Sequence, residues 1–263
     1  MNALALKKAL REGPVPLGTW IFEFNTPGIA RLLASAGADF VVLDMEHSGF
    51  GTDSVRGLLG QTHALNLAAW VRPPAAHYHL IAPLLDAGAD GILAPMIETR
   101  EDALQVVRAC RYPPHGRRGA AFSIAHDDFL PGTVSDKMRA ADAKVLCGLL
   151  IESPQAVESL DTILDVPGID LVWVGHFDLS LTMGIPAQFN DARFLRAVDR
   201  ILAACNSRRI PIGIMVVSPE HAMECIERGY RCLSYWGDIW LLQRALAEGL
   251  RTIRERAGKD LNG

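Results

Sequence analysis

Four times along the chain a glycine closes a helix-length segment and is followed, after two intervening residues, by an apolar run. AGAD at 36–39 precedes FVVLD, AGAD at 87–90 precedes GILAP, PGID at 167–170 precedes LVWVG, and RGYR at 228–231 precedes CLSYW. A glycine in that place supplies the left-handed turn that ends a helix, and near-continuous aliphatic runs mark strands of a parallel sheet covered by helices on both faces. Reading outward from these anchors predicts eight strands, near residues 15–22, 40–45, 67–72, 91–96, 145–151, 170–175, 211–217 and 231–236, each followed by a helical segment. That is the make-up of a (β/α)8 barrel; doubly wound sheets usually stop at about six strands, and no G-x-G-x-x-G opens a helix here. A single TIM barrel over residues 1–263 is therefore expected. Its rhythm breaks once, before the fifth strand, where residues 112–144 carry PPHGRRG, AHDDF and LPGT. Excursions of that length in compact domains are more often functional or interfacial than idle.

Composition narrows the partners. The 26 basic and 30 acidic side chains leave a formal net charge of −4, with 49% hydrophobic and 21% charged residues, a balance that neither disorders a chain nor suits a phosphate backbone. No nucleic-acid partner is expected. Residues 1–12 (MNALALKKALRE) form an amphipathic lead-in instead of the unbroken apolar stretch of a signal peptide. No uncharged stretch reaches the roughly 18 residues of a membrane span. A soluble, cytoplasmic protein is the expectation. Cys110, Cys147, Cys205, Cys225 and Cys232 show neither a C-x-x-C pair nor zinc-ligand spacing and read as reduced, buried thiols.

Barrel enzymes build their sites where the strands end C-terminally. Strand 2 ends in Asp44-Met45-Glu46-His47-Ser48, strand 3 in Arg72-Pro73-Pro74, strand 5 in Glu152-Ser153, and strand 6 in Gly175-His176-Phe177-Asp178. Glu152 and Asp178 close neighbouring strands at equivalent depth, which would leave two unpaired carboxylates in an apolar mouth. A hard divalent cation such as Mg2+ or Mn2+ would take oxygen ligands from both and keep positions for substrate. The alternative is that each acid caps the helix after it. Arg72 stays protonated and suits a carboxylate or a developing enolate oxygen. His47 is the proton carrier available near neutral pH, against the alternative of a hydrogen-bonded structural histidine. Of five lysines only Lys144 touches a strand, at its start, so Schiff-base chemistry is disfavoured. A metal-dependent hydrolase using His77, His79, His176 and Asp238 is a weaker rival, because no histidine or lysine ends strand 4 or 5 to complete its site.

Six segments in order, LDMEHS (43–48), VRPP (71–74), LLDAGADGILAPMIET (84–99), RYPPHGRRG (111–119), IESPQAV (151–157) and VGHFDLSLTMG (174–184), resemble the HpcH/HpaI family of metal-dependent pyruvate aldolases. The resemblance covers about residues 18–240. It implies a class II aldolase that reversibly cleaves a 4-hydroxy-2-oxo acid to pyruvate, or hydroxypyruvate, plus an aldehyde. It also implies Glu152 and Asp178 as ligands of Mg2+, Mn2+ or Co2+, His47 as base, Arg72 as enolate-stabilising residue, and Asp86 as the aspartate that pairs with the histidine. Gly175, Phe177 and Asp178, with Arg72, then border the substrate carboxylate, and the amides of the 175–178 turn are placed to hold it. Family members tend to be hexamers of dimers that exchange the last helix, here 238–256.

The chain departs from the family pattern in three places. His176 and Phe177 replace the common Pro-Ala of the turn, Leu150 stands where a glutamine is usual, and the 120–128 segment (AAFSIAHDD) lacks the arginine that engages acidic aldehydes. A neutral hydroxyaldehyde is therefore expected in place of a carboxylated one. An acyl-CoA thioester lyase of the same superfamily, and a barrel that binds 2-oxo acids without catalysis, are the other readings. The four residues His47, Arg72, Glu152 and Asp178 speak against loss of catalysis.

Overall fold

The glycines of the four repeated segments, Gly37, Gly88, Gly168 and Gly229, have φ of +88°, +105°, +98° and +98°. Each ends a helix in the left-handed conformation that a Cβ would oppose. The computed structural model describes residues 1–260. Helix α1 (Ala3–Arg11) precedes β1 (Leu17–Ile21), α2 (Ile29–Ser35), β2 (Phe40–Asp44), α3 (Thr52–Ala64), β3 (Ala68–Arg72), α4 (Tyr78–Asp86), β4 (Gly91–Ala94) and α5 (Arg100–Cys110). After the long excursion, which contains α6 (Val134–Lys144), come β5 (Leu146–Ile151), the short α7 (Pro154–Glu158) and α8 (Leu160–Leu164), and β6 (Leu171–Val174). Then follow α9 (His176–Thr182), α10 (Ala192–Arg208), β7 (Ile212–Val216), α11 (Pro219–Glu227), β8 (Cys232–Gly237) and α12 (Asp238–Asp260). The strands are parallel and close in chain order, β8 returning to β1, so the expected eight-stranded barrel is the fold. No described helix is long and apolar enough to cross a membrane.

In three of the repeats the aspartate after the glycine ties two strands together. Asp39, Asp90 and Asp170 each accept the backbone N–H of Leu17, Ala69 and Cys147 on the preceding strand, at 3.0, 3.1 and 3.0 Å. The fourth repeat has Arg231 there, whose guanidinium instead donates to the Ala9 and Gly13 carbonyls at the end of α1. Two lysines are engaged at this end of the barrel. Lys144 pairs with Asp90 at 2.9 Å and Lys7 with Asp170 at 3.1 Å.

Alternation along the strands builds two cores. Phe40, Val42, Trp70, Leu93, Leu146, Leu150, Leu171 and Trp173 face the barrel axis, with Leu6 and Leu10 of α1 closing the end opposite the mouth. Their neighbours Val41, Leu43, Val71, Ile92, Leu149 and Val172 face the helices. Large rings inside the barrel need small neighbours: a Cβ on Gly213 would lie 2.4 Å from Trp173, and one on Gly18 would lie 2.5 Å from the Phe40 carbonyl oxygen and 2.7 Å from its ring.

Closure depends on Asp238, at the start of α12. Its carboxylate accepts the N–H groups of Phe22, Glu23 and Phe24 at 2.9, 3.1 and 2.9 Å, where β1 runs out. Asp238 thus acts as a cap on the end of β1, and among the described residues it joins no cluster of three or more His, Cys, Asp or Glu side chains that could hold a metal. Asp238→Ala should lower stability by about 2–4 kcal/mol in urea unfolding, because partly buried donors lose a charged acceptor; an unchanged midpoint would contradict this.

Candidate active site

Register places the first part of the site. Asp44 and Arg72 are direct partners on the neighbouring strands β2 and β3, at their C-terminal ends. Asp44 is 0% exposed and takes Arg72 Nε and Nη2 in two parallel hydrogen bonds of 2.8 Å. The same carboxylate accepts the N–H of Glu46 at 3.0 Å and of His47 at 3.2 Å, so it shapes the turn that carries both. Arg72 Nη1 lies 3.2 Å from Glu46 Oε2, and the guanidinium carbon sits 4.6 Å from the centre of the Trp20 ring. His47, its side chain 55% exposed, has Nε2 3.7 Å from Glu46 Oε2. Burial pushes the Glu46 carboxyl above the ordinary range, partly offset by Arg72 and His47.

The second part stands at the ends of β5 and β6. Glu152 is 3% exposed, and its Oε1 accepts the N–H of Met96 at 2.6 Å. Met96 offers that N–H from a left-handed backbone, φ +55°, a strain met most often at functional sites. Gly175 is required by the same acid, since a Cβ there would meet Glu152 Oε2 at 2.5 Å. Burial, reinforced by repulsion from Glu46 and Asp178, raises the Glu152 carboxyl to about 7. Asp178, in the first turn of α9, takes no side-chain hydrogen bond among the described residues. Gly175 N–H donates to the Ile151 carbonyl, which removes it from the amides expected to hold a carboxylate.

The two parts meet at one cavity of about 620 Å3 at the mouth of the barrel, bordered by His47, Arg72, Glu152, Gly175, His176, Phe177 and Asp178, with Asp44 and Glu46 behind Arg72. No lysine lines it. His176 is held neutral at pH 7, its imidazole lowered to about 4 by burial and helped by His221, and it packs against Phe177 and Phe189 at 4.8 and 5.3 Å. Four carboxylates therefore surround one permanently charged guanidinium, and Arg72 is already engaged by two of them. That donor set fits a divalent cation. Among the described residues no cluster of three or more His, Cys, Asp or Glu side chains could hold a metal. Glu152 and Asp178 could supply two carboxylate ligands to a cation here, the remainder coming from water and substrate.

Asp86 is not in the cavity. It ends α4, and a helix that follows a barrel strand carries its last residues back toward the opposite end, away from the mouth where His47 stands. Its carboxylate accepts Arg118 Nη2 at 2.8 Å instead, so within one chain the expected pairing with His47 is absent. Glu46 is the carboxylate that faces the histidine. In the sequence Asp44 and Glu46 are signalled only by spacing: an aspartate two and three residues before a Glu-His pair is placed to cap its own turn. His77 and His79 lie at the start of α4 and border a separate small hollow with Tyr78, Gln105 and Arg117, apart from the barrel mouth.

Comparison with known proteins agrees with this geometry. The profile of the HpcH/HpaI aldolase/citrate lyase family matches residues 18–239. A 2-keto-3-deoxy-L-rhamnonate aldolase of Escherichia coli (strain K12) is 32% identical over 260 residues, 97% of this chain and 96% of that protein. The crystal structure of an HpcH/HpaI aldolase from Desulfitobacterium hafniense DCB-2 superposes with a TM-score of 0.90 at 30% identity, covering 95% of this chain and 96% of that one. A family protein from Burkholderia cenocepacia J2315 gives 0.88 at 32% identity, covering 95% and 99%. With the profile spanning the whole barrel and relatives matched along nearly their full length, the chain belongs to the HpcH/HpaI aldolase/citrate lyase family and is an enzyme of the carbon–carbon lyase class.

Proposed function

We propose that the protein catalyses reversible, metal-dependent aldol cleavage of a 4-hydroxy-2-oxo acid to pyruvate, or hydroxypyruvate, and a neutral aldehyde. The observation that carries this reading is that His47, Arg72, Glu152 and Asp178, from the ends of four different strands, line one cavity at the barrel mouth. A divalent cation (Mg2+, Mn2+ or Co2+) held by Glu152 and Asp178 would supply Lewis-acid polarisation of the 2-oxo group. His47, exposed to the cavity, takes the proton of the C4 hydroxyl. As the C3–C4 bond breaks, its electron pair passes into the C2–C3 enolate and the C4 carbon leaves as the aldehyde. Protonation of C3 then gives the 2-oxo acid product. Arg72 faces the developing charge with the second N–H of Nη2 and the N–H of Nη1 not turned to Glu46, and Asp44 keeps that fork from turning. The Phe177 ring and the Gly175 backbone border the donor.

Assembly belongs to the same reading. Leu242, Leu246, Leu250 and Ile253 are exposed along one face of α12, a stripe suited to a second copy in a homo-oligomer of the hexameric kind. Any pairing of Asp86 with His47 would have to be made between two such chains.

Pyruvate release from a panel of 4-hydroxy-2-oxo acids should stop with EDTA and return with Mg2+, Mn2+ or Co2+. It should be absent in Glu152→Ala and fall about 10²–10³-fold in Arg72→Ala. Activity that survives full chelation would overturn the metal assignment.

Stability provides a check independent of turnover. In the folded protein Glu152 keeps its proton up to about pH 7, whereas in the unfolded chain it ionises near 4.5, so stability falls as pH rises between those values. Above pH 7 the ionised, metal-free form costs up to about 3 kcal/mol. Glu152→Gln in chelator should therefore be more stable than the unmodified protein at pH 8 and equal to it near pH 4.5, as read by urea unfolding. Equal stability at pH 8 would contradict the buried-carboxylate account.

A further inference from the structure

We infer that the cavity carries a preformed apolar subsite for the aldehyde part of the substrate, so that the preferred aldehydes bear an alkyl or aryl substituent. This rests on the aldol reading above and names its substrate class. The strands close in the order β1 to β8, so the mouth divides into two continuous arcs. All ionisable lining residues, His47, Arg72, Glu152, His176 and Asp178, come from the ends of β2, β3, β5 and β6. The arc from β7 through β8 to β1 contributes Phe22, Met215, Val217, Trp236, Ile239 and Trp240, with no charged, amide or hydroxyl side chain among them.

Two of the three indole N–H groups there are already engaged, and that of Trp240 is the one side-chain donor left without a partner among the described residues. Trp236 Nε1 donates to the Val217 carbonyl at 2.8 Å, and Trp20 Nε1, on the cavity floor, donates to Ser234 Oγ at 2.8 Å. A hydroxyl or carboxylate placed against this wall would lose several water contacts and find only the Trp240 indole N–H in exchange.

The wall is also built and fixed. Phe22 meets Trp240 edge-to-face at 4.9 Å, and Trp240 lies 6.1 Å from Trp236. Gly237 permits this approach, since a Cβ there would come within 2.8 Å of Phe22 and 2.9 Å of Trp240. Trp236 holds φ +51°, an outlier for a bulky residue, and Thr19 Oγ1 clamps the strand around it by donating to the Tyr235 and Trp236 carbonyls at 3.0 and 3.3 Å. Unlike Trp20 and Trp173, which are buried in the barrel, Met215, Val217, Trp236 and Trp240 are only half-buried and present surface to the cavity.

Size points the same way. At about 30 Å3 per heavy atom, the volume of a liquid water, pyruvate fills only about 180 Å3. Most of the cavity of about 620 Å3 lies beyond it. With the donor carboxylate and oxo group on the charged arc, the substituent at C4 extends toward the aromatic one.

The test runs the reaction as aldol addition, with the full chain, a divalent metal, pyruvate and a set of aldehydes: butanal, benzaldehyde, glyceraldehyde and succinic semialdehyde. Deuterium exchange into the pyruvate methyl group, followed by NMR without aldehyde, checks the aldolase reading separately. The expected result is exchange together with kcat/KM for butanal and benzaldehyde at least about tenfold above glyceraldehyde and about 100-fold above succinic semialdehyde. The ratio of butanal to glyceraldehyde should drop about tenfold in Trp240→Ala and in the milder Met215→Gln, a within-variant comparison that general damage does not mimic. Exchange with a preference for glyceraldehyde or succinic semialdehyde overturns this inference alone. Absence of exchange overturns the aldolase reading and this inference with it.

Discussion

The bidentate pair between Asp44 and Arg72 is the contact on which the reactive edge of the barrel depends. One buried carboxylate accepts four donors, two from the guanidinium and two from the backbone of the turn that carries Glu46 and His47. Burying such a pair costs desolvation of both charges, and a well-packed apolar pair would often do as well for stability alone. What the ion pair adds is position. It sets the fork of Arg72 against the cavity, over the Trp20 ring, and sets the histidine turn beside it. Parallel register makes this possible, because Asp44 and Arg72 stand at the same level of adjacent strands.

Across the mouth the balance of charge is reversed. Glu152 has one backbone donor, a glycine that lets its carboxylate sit against β6, and two acidic neighbours that resist its ionisation. A folded protein retains such a group where something positive completes it. The left-handed Met96 that supplies its single hydrogen bond is local strain placed where the chemistry is proposed. The two halves are complementary: one guanidinium over-supplied with acceptors, and two acids under-supplied with donors.

Much of this was readable in the sequence, for reasons that are local. The four glycines and the aliphatic runs after them specify helix ends and buried strands within a few residues of chain, and the eight strands fall where those signals put them. Strand-end positions then delivered His47, Arg72, Glu152, Gly175, Phe177 and Asp178 to one cavity. Features that depend on contact between distant segments were harder to see. Asp44 acquires its role only through cross-strand register, and the aromatic arc gathers Phe22, Met215 and Trp240 from opposite ends of the chain. Asp86 shows the converse. Its motif is local, but α4 carries it away from the mouth, and Arg118 from the long excursion takes its carboxylate.

Shared ligation of one cation by Glu152 and Asp178 is the central claim, and direct binding tests it without reference to turnover. Chelator-treated protein titrated with Mn2+ at pH 8 and followed by electron paramagnetic resonance should bind one ion per chain, and Asp178→Asn should abolish that binding while the barrel remains folded by circular dichroism. Unaltered Mn2+ affinity in Asp178→Asn, or no binding by the unmodified chain, would contradict the account.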